Sequence, residues 1–188
     1  MVRISFAAFL WCFGCAAAGE RQLRVVRKTL DSPAEVQGYP CAKGYAWFYP
    51  GGGLRACAVS RETSFGEVRV PAGSLIHLSA DGKPAFVFLS RDAEILEYKC
   101  RGGGHDFMTV LYPTGKLKLC WLSADQEIQG VPCMRAGFIA DVFGGGVGTH
   151  FYENGALRTC KLSRDFEMGD KKYRRGEHAY LIARNRHG

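Results

Sequence analysis

The side chains that could do chemistry in this chain recur at regular spacings. Eight cysteines, five histidines and three glycine triplets stand out. Cys12 and Cys15 fall in an apolar N-terminal stretch. The other six, Cys41, Cys57, Cys100, Cys120, Cys133 and Cys160, contain no CxxC pair and so lack the ligand spacing of a structural zinc site. His105-Asp106, after Gly102-Gly103-Gly104, has the composition of a general base and its orienter. Neighbours on an extended strand point to opposite faces, however, so these two would not meet. The triplets at 51–53, 102–104 and 144–146 precede no Lys-Ser or Lys-Thr and open no helical pattern, which makes them turns rather than phosphate cradles. Ser60, Ser90, Ser123 and Ser163 recur at one position of a repeat, as do Asp92, Asp125 and Asp165. A nucleophile or a glycosidase carboxylate pair would be unique, so recurrence points to turn structure. The expectation is a protein without cofactor, metal site or enzymatic activity.

The elements that position these residues begin after residue 18. Arg3, the apolar run Ile4 to Gly14 and Ala16-Ala17-Ala18 have the layout of a secretory signal peptide, too short to span a bilayer as a helix. Residues 1–18 are therefore expected to be removed, leaving 19–188 as a single repeat domain with no transmembrane segment. Gly14-Cys15 followed by Ala also allows a lipid anchor on Cys15. The expected location is periplasmic or secreted. Without residues 1–18 the charge is +6, from 24 Lys and Arg against 18 Asp and Glu, which favours anionic partners.

Self-comparison supplies the frame. Leu30 to Cys41, LDSPAEVQGYPC, aligns without a gap on Leu122 to Cys133, LSADQEIQGVPC, and Leu89 to Cys100 fits the same register. Five positions, Lys28, Cys57, Val87, Cys120 and Cys160, are each followed 13 residues later by Cys41, Val70, Cys100, Cys133 and Tyr173. The return distances vary instead, at 16, 17, 20 and 27 residues. A fixed connector thus alternates with a hairpin of variable length. Gly52, Gly82, Gly115 and Gly155 mark the hairpin turns, where positive φ is needed. Short β-rich runs flank them, and no long 3.6-residue period occurs in the mature chain. The predicted units are a partial cap at 20–40, hairpin units at about 41–69, 70–99, 100–132 and 133–172, and a second partial cap at 173–188.

The repeat also discriminates among cysteine pairings. Bridges across the 13-residue connector would pair Cys with Lys, Val or Tyr in four cases of five. Bridges across the hairpin give Cys41–Cys57, Cys100–Cys120 and Cys133–Cys160, with Val70 and Val87 matched in the second unit. Three disulfides, each closing the base of a hairpin, are predicted.

The phrase Phe151-Tyr152-Glu153-Asn154-Gly155-Ala156-Leu157 resembles the F-Y-x-N-G-x-L core of MORN-like repeats. The longer frame is similar to exported bacterial hairpin-repeat proteins of uncharacterised function, over about residues 25 to 182. The resemblance implies an all-β fold: hairpins side by side in an elongated antiparallel sheet, with a β-solenoid as the alternative. It implies no active site.

Relative to the shortest unit, the third and fourth hairpins carry extra residues near 101–108 and 136–149. Insertions in repeat arrays concentrate on binding faces. This singles out His105, Phe107, Met108, Phe138 and Phe143 as candidate anchors. A basic cluster, Lys171, Lys172, Arg174 and Arg175 around Tyr173, is a second candidate, or else a solubilising cap. The expected function is a non-catalytic exported module binding another exported protein, or an anionic polymer or lipid of the envelope. The alternative is a structural or inhibitory protein acting on another exported protein, with a carbohydrate-active enzyme third. Export argues against nucleic acid.

Overall fold

The structure, a computed structural model, describes residues 25–137 and 148–181. Every regular element among them is a β-strand. Ten strands form one open antiparallel sheet, in the spatial order β1 (Val26–Leu30), β3 (Tyr39–Phe48), β4 (Leu54–Val59), β7 (Leu75–Leu78), β8 (Pro84–Phe88), β11 (Met108–Leu111), β12 (Leu117–Cys120), β15 (Thr149–Phe151), β16 (Leu157–Lys161) and β19 (His178–Tyr180). Each strand pairs with the next in this order and the two ends do not meet, so the sheet is not a barrel. All pairings are antiparallel, which decides for stacked hairpins and against the coils of a solenoid.

The predicted hairpins are β3–β4, β7–β8, β11–β12 and β15–β16, with Gly52, Gly82, Gly115 and Gly155 at positive φ in their turns. The fixed connectors hold something the spacing alone did not reveal. Each is itself a short hairpin: β5 (Thr63–Phe65) with β6 (Val68–Val70), β9 (Ala93–Ile95) with β10 (Tyr98–Cys100), β13 (Gln126–Ile128) with β14 (Val131–Cys133), and β17 (Phe166–Met168) with β18 (Lys171–Tyr173). Near the start of the chain, β2 (Ala34–Val36) pairs with the first part of β3 in the same way. Every connector turn places its first residue at positive φ: Gln37 52°, Gly66 65°, Leu96 58°, Gln129 51° and Gly169 60°. A two-residue turn with this twist joins strands of one fixed length, and the 13-residue spacing is therefore invariant.

These small hairpins form a second layer over one face of the long sheet. Phe65, Val68, Ile95, Tyr98, Ile128 and Val131 on the connectors bury against Cys57, Ile76, Val87, Cys120, Phe151 and Cys160 on the sheet. Tyr98 packs on Phe151 with ring centroids 4.5 Å apart. The two layers also touch at their turns. The amide of Glu67 donates to the Gly115 carbonyl at 3.0 Å, and a Cβ on Gly66 would lie 2.6 Å from the Gly115 Cα. Gln37 and Gln129 each clamp the following hairpin turn: their side-chain amides donate to the carbonyls of Gly52 and Gly155, and their side-chain oxygens accept from the amides of Leu54 and Leu157.

Tyrosines tie neighbouring hairpins together. Tyr49 donates its hydroxyl to the Leu78 carbonyl, Tyr112 to that of Phe151 and Tyr152 to that of Leu181, at 2.8, 2.9 and 2.8 Å. The second unit has Ser79 in this place and lacks the tie.

Candidate functional site

The recurrent serines close the repeat: Ser60, Ser90, Ser123 and Ser163 donate their hydroxyls to the carbonyls of Pro40, Ala72, Lys99 and Pro132. The recurrent aspartates accept backbone amides ten residues on, Asp92 from Gly102, Asp125 from Arg135 and Asp165 from Arg175. These groups hydrogen-bond the backbone in the turns.

Cys41–Cys57 and Cys133–Cys160 are disulfides, with Cα atoms 5.7 and 5.6 Å apart. Their geometry follows from the pairing. Cys41 lies opposite Val59 and Cys133 opposite Leu162, two residues beyond the partner cysteine and on the same face. Cys100 lies opposite Leu122 in the same relation to Cys120. Here the expected third bridge is not closed in this structure: Cys100 and Cys120 are free and buried, so two of the three expected bridges are present. The Cys120 thiol hydrogen-bonds Cys100, and this contact, with burial, raises the pKa of Cys100. The two closed bridges fit an oxidising, non-cytoplasmic environment.

The candidate anchors separate. Phe107 is buried, edge-on to Trp121 and beneath the Arg101 guanidinium at 4.5 Å, so it packs the third unit rather than offering a surface. Met108 is exposed on β11, opposite Phe88, and His105 is exposed with its ring against Phe88. Phe138 and Phe143 lie outside the described residues, as do Cys15 and the predicted signal peptide. In the basic cluster Lys171 sits 4.6 Å from the Tyr173 ring, and Lys172 pairs with Glu167 at 2.9 Å. Arg174 and Arg175 are exposed, and their amides are held by Glu177 and Asp165.

Register reveals a surface that reading the units one by one does not. One line of directly paired residues runs across all ten strands: Arg27, Trp47, Ala56, His77, Phe86, Val110, Leu119, His150, Thr159 and Tyr180. It faces away from the connectors. Beside it, on the same face, run Tyr45, Leu75, Phe88, Met108 and Trp121. An antiparallel sheet with one face in water usually alternates apolar and polar residues, and this sheet is apolar and aromatic on both. None of the described residues forms a layer over the outer face. His77 stacks on Phe86 with centroids 4.2 Å apart, and Phe86 and Phe88 meet edge to face.

The charged groups on this face are cationic. Arg27 lies over Tyr45, Arg55 over Tyr49, Lys118 over Tyr112 and Arg158 over Tyr152, between 4.3 and 5.9 Å from the ring centres. The pKa of His77 is lowered to about 4 by burial, then by Arg55 and His105. That of His150 is lowered by burial, then by Arg158, Lys118 and His178. Both imidazoles are therefore neutral at pH 7. Carboxylates are segregated from this face. Of the 16 Asp and Glu among the described residues, 12 lie on the connectors, and the other four (Asp81, Asp106, Glu153 and Glu177) lie in loops.

Fold and surface together define an open antiparallel sheet of hairpins, covered on one face by the connectors and, among the described residues, uncovered, aromatic and cationic on the other. Compared with known proteins, the chain matches no family model, no curated protein and no solved structure.

Proposed function

We propose that this protein is a non-catalytic exported module that binds a partner in the cell envelope or outside the cell, through the outer face of its long sheet. The observation that carries this reading is the mainly apolar and aromatic line from Trp47 to Tyr180, interrupted by Thr159, over which none of the described residues forms a layer. Contiguous apolar patches beyond a few hundred Å2 are rare on soluble proteins unless something binds them. The commitment of the recurrent serines and aspartates to turns favours binding over catalysis. The MORN-like frame favours a scaffold that displays a surface. Among the described residues no helix is long and apolar enough to cross a membrane.

Phe86→Lys together with Val110→Lys places two charges at the centre of the face, on side chains that are only partly buried. Both disulfides should still form, and the far-ultraviolet spectrum should remain that of a β-protein. Retention by the envelope fraction of the native cell should be lost. Undiminished retention with the face disrupted would refute the reading.

A further inference from the structure

We infer that the outer face is a docking surface for an anionic lipid bilayer. This rests on the reading of the face as a binding surface and names what it binds.

Three observations select the partner. The first is charge: the face holds Arg27, Arg55, Lys118 and Arg158, and no outward position on the ten strands is acidic. None of these four cations meets a carboxylate among the described residues; each is held against a tyrosine ring. A second copy of the chain laid face to face would oppose like charges, so self-association is disfavoured and an anionic partner favoured.

The second is ring orientation. His77 and Phe86 stack on each other across neighbouring strands at 4.2 Å and 17°. Stacking covers one ring face of each with the other. A polysaccharide or a run of unstacked bases needs exposed ring faces to lie on, whereas an acyl and headgroup boundary needs only apolar bulk. The third is composition: Trp47, Trp121, Tyr45 and Tyr180, with Phe86, Phe88 and Met108 between them, are the amphipathic and apolar types that partition to the headgroup level. Cations held on aromatic rings can reach the phosphates while the rings stay at the boundary. Lipid attraction then adds up over cations spaced along the sheet, each effective within a Debye length of the surface.

The test uses the full chain carrying Trp11→Phe, so that the remaining tryptophans, Trp47 and Trp121, both report on this face. Vesicles of phosphatidylglycerol mixed with phosphatidylcholine are compared with phosphatidylcholine alone, and a parallel set carries brominated acyl chains. The expected result is co-flotation with the anionic vesicles, quenching of Trp47 and Trp121 by the brominated lipid, and release at high salt. Arg55→Glu, Lys118→Glu and Arg158→Glu combined should weaken association roughly a hundredfold, even with the N-terminal stretch retained. These substitutions lie on exposed or half-exposed side chains, and intact disulfides verify folding. Flotation without quenching, or with no effect of the triple variant, would overturn the inference, because binding would then run through another part of the chain. Tryptophan shielding by an acidic polysaccharide but not by vesicles, or a face-dependent dimer in light scattering, would also overturn it. Face-dependent capture of a protein with no vesicle binding would overturn the lipid assignment and leave the proposed function standing. No face-dependent binding of any kind would remove both.

Discussion

Cys100 and Cys120 sit where two other units carry closed bridges, and oxidation should close them. Both are fully buried, and Cys100 faces Leu122 in the register that Cys41 and Cys133 use with Val59 and Leu162. The pair encloses a 20-residue loop, intermediate between the 16 and 27 of the existing bridges. Loop-closure entropy for that length is about 3.3 kcal/mol, which for a domain of this size raises the Tm by roughly 7–13 °C. The reference is Cys100→Val with Cys120→Val, because Val70 and Val87 fill the equivalent place in the second unit and are both fully buried. That variant keeps an apolar filling and removes only the capacity to cross-link. After refolding in a glutathione redox buffer, non-reducing peptide mapping should yield a cross-linked peptide joining Cys100 and Cys120. Calorimetry should place the oxidised protein above the double-valine variant by the stated interval, and reduction should abolish the gap. Two outcomes refute the reasoning: free Cys100 after the other two bridges have formed, or a closed bridge with no gain in Tm.

Other expectations follow from single contacts. Leu96 holds a positive φ that its counterparts Gly66 and Gly169 adopt freely, and its side chain is 54% exposed, so Leu96→Gly should stabilise by about 1 kcal/mol in urea unfolding. Tyr112→Phe removes the hydroxyl that ties the third hairpin to the fourth and should cost about 1 kcal/mol, whereas Ser79, which makes no such tie, should tolerate Ala with less effect. Gly115→Ala forces a Cβ to 2.8 Å from the Gly66 Cα at a φ of 89°, and should cost more than about 2 kcal/mol in the same assay. His77 has a native pKa of about 4, below its unfolded value near 6.5. Between those pH values the unfolded chain binds the proton and the native one does not, so stability falls as pH drops from 6.5 towards 4. In His77→Leu the urea midpoint should lose part of that slope; an unchanged slope would place the titration elsewhere.

The long sheet was legible because its signals are local. A turn glycine five residues before each strand position and a constant connector length are properties of a single unit, and they required hairpins laid in series. The same regularity picked the correct cysteine partners, since residues that appear and vanish together across a hairpin base must face one another. It could not reveal whether facing thiols are bonded: Cys100 and Cys120 satisfy the same register as the two closed pairs and are free in this structure. The connector hairpins were hidden for a related reason. Their strands are three residues long, too short for an alternating pattern to emerge, and their turns use Gln37, Leu96 and Gln129 at positive φ, where glycine or asparagine is the usual marker.

The outer face was hidden by the way pairing creates it. In AWFY, LIHL, FVFL and KLCWL both alternating positions are apolar, which in one strand reads as a strand buried on both sides. In single strands His77 and His150 have the pattern of strand fillers, while the longer hairpins stand out by length, although Phe107 there is buried packing. Only register carries Trp47, His77, Phe86 and His150 onto one line, and only the connector layer shows which of the two apolar faces is already used. Ten strands that are apolar on both sides, with one second layer between them, must leave one face to find its cover outside the described residues. The segregation of carboxylates onto the connectors gives that face its charge. A sheet built only for its own stability would place Lys–Glu or Thr pairs on its solvent side, as open antiparallel sheets do. The cost of leaving aromatics there is recovered if something binds them.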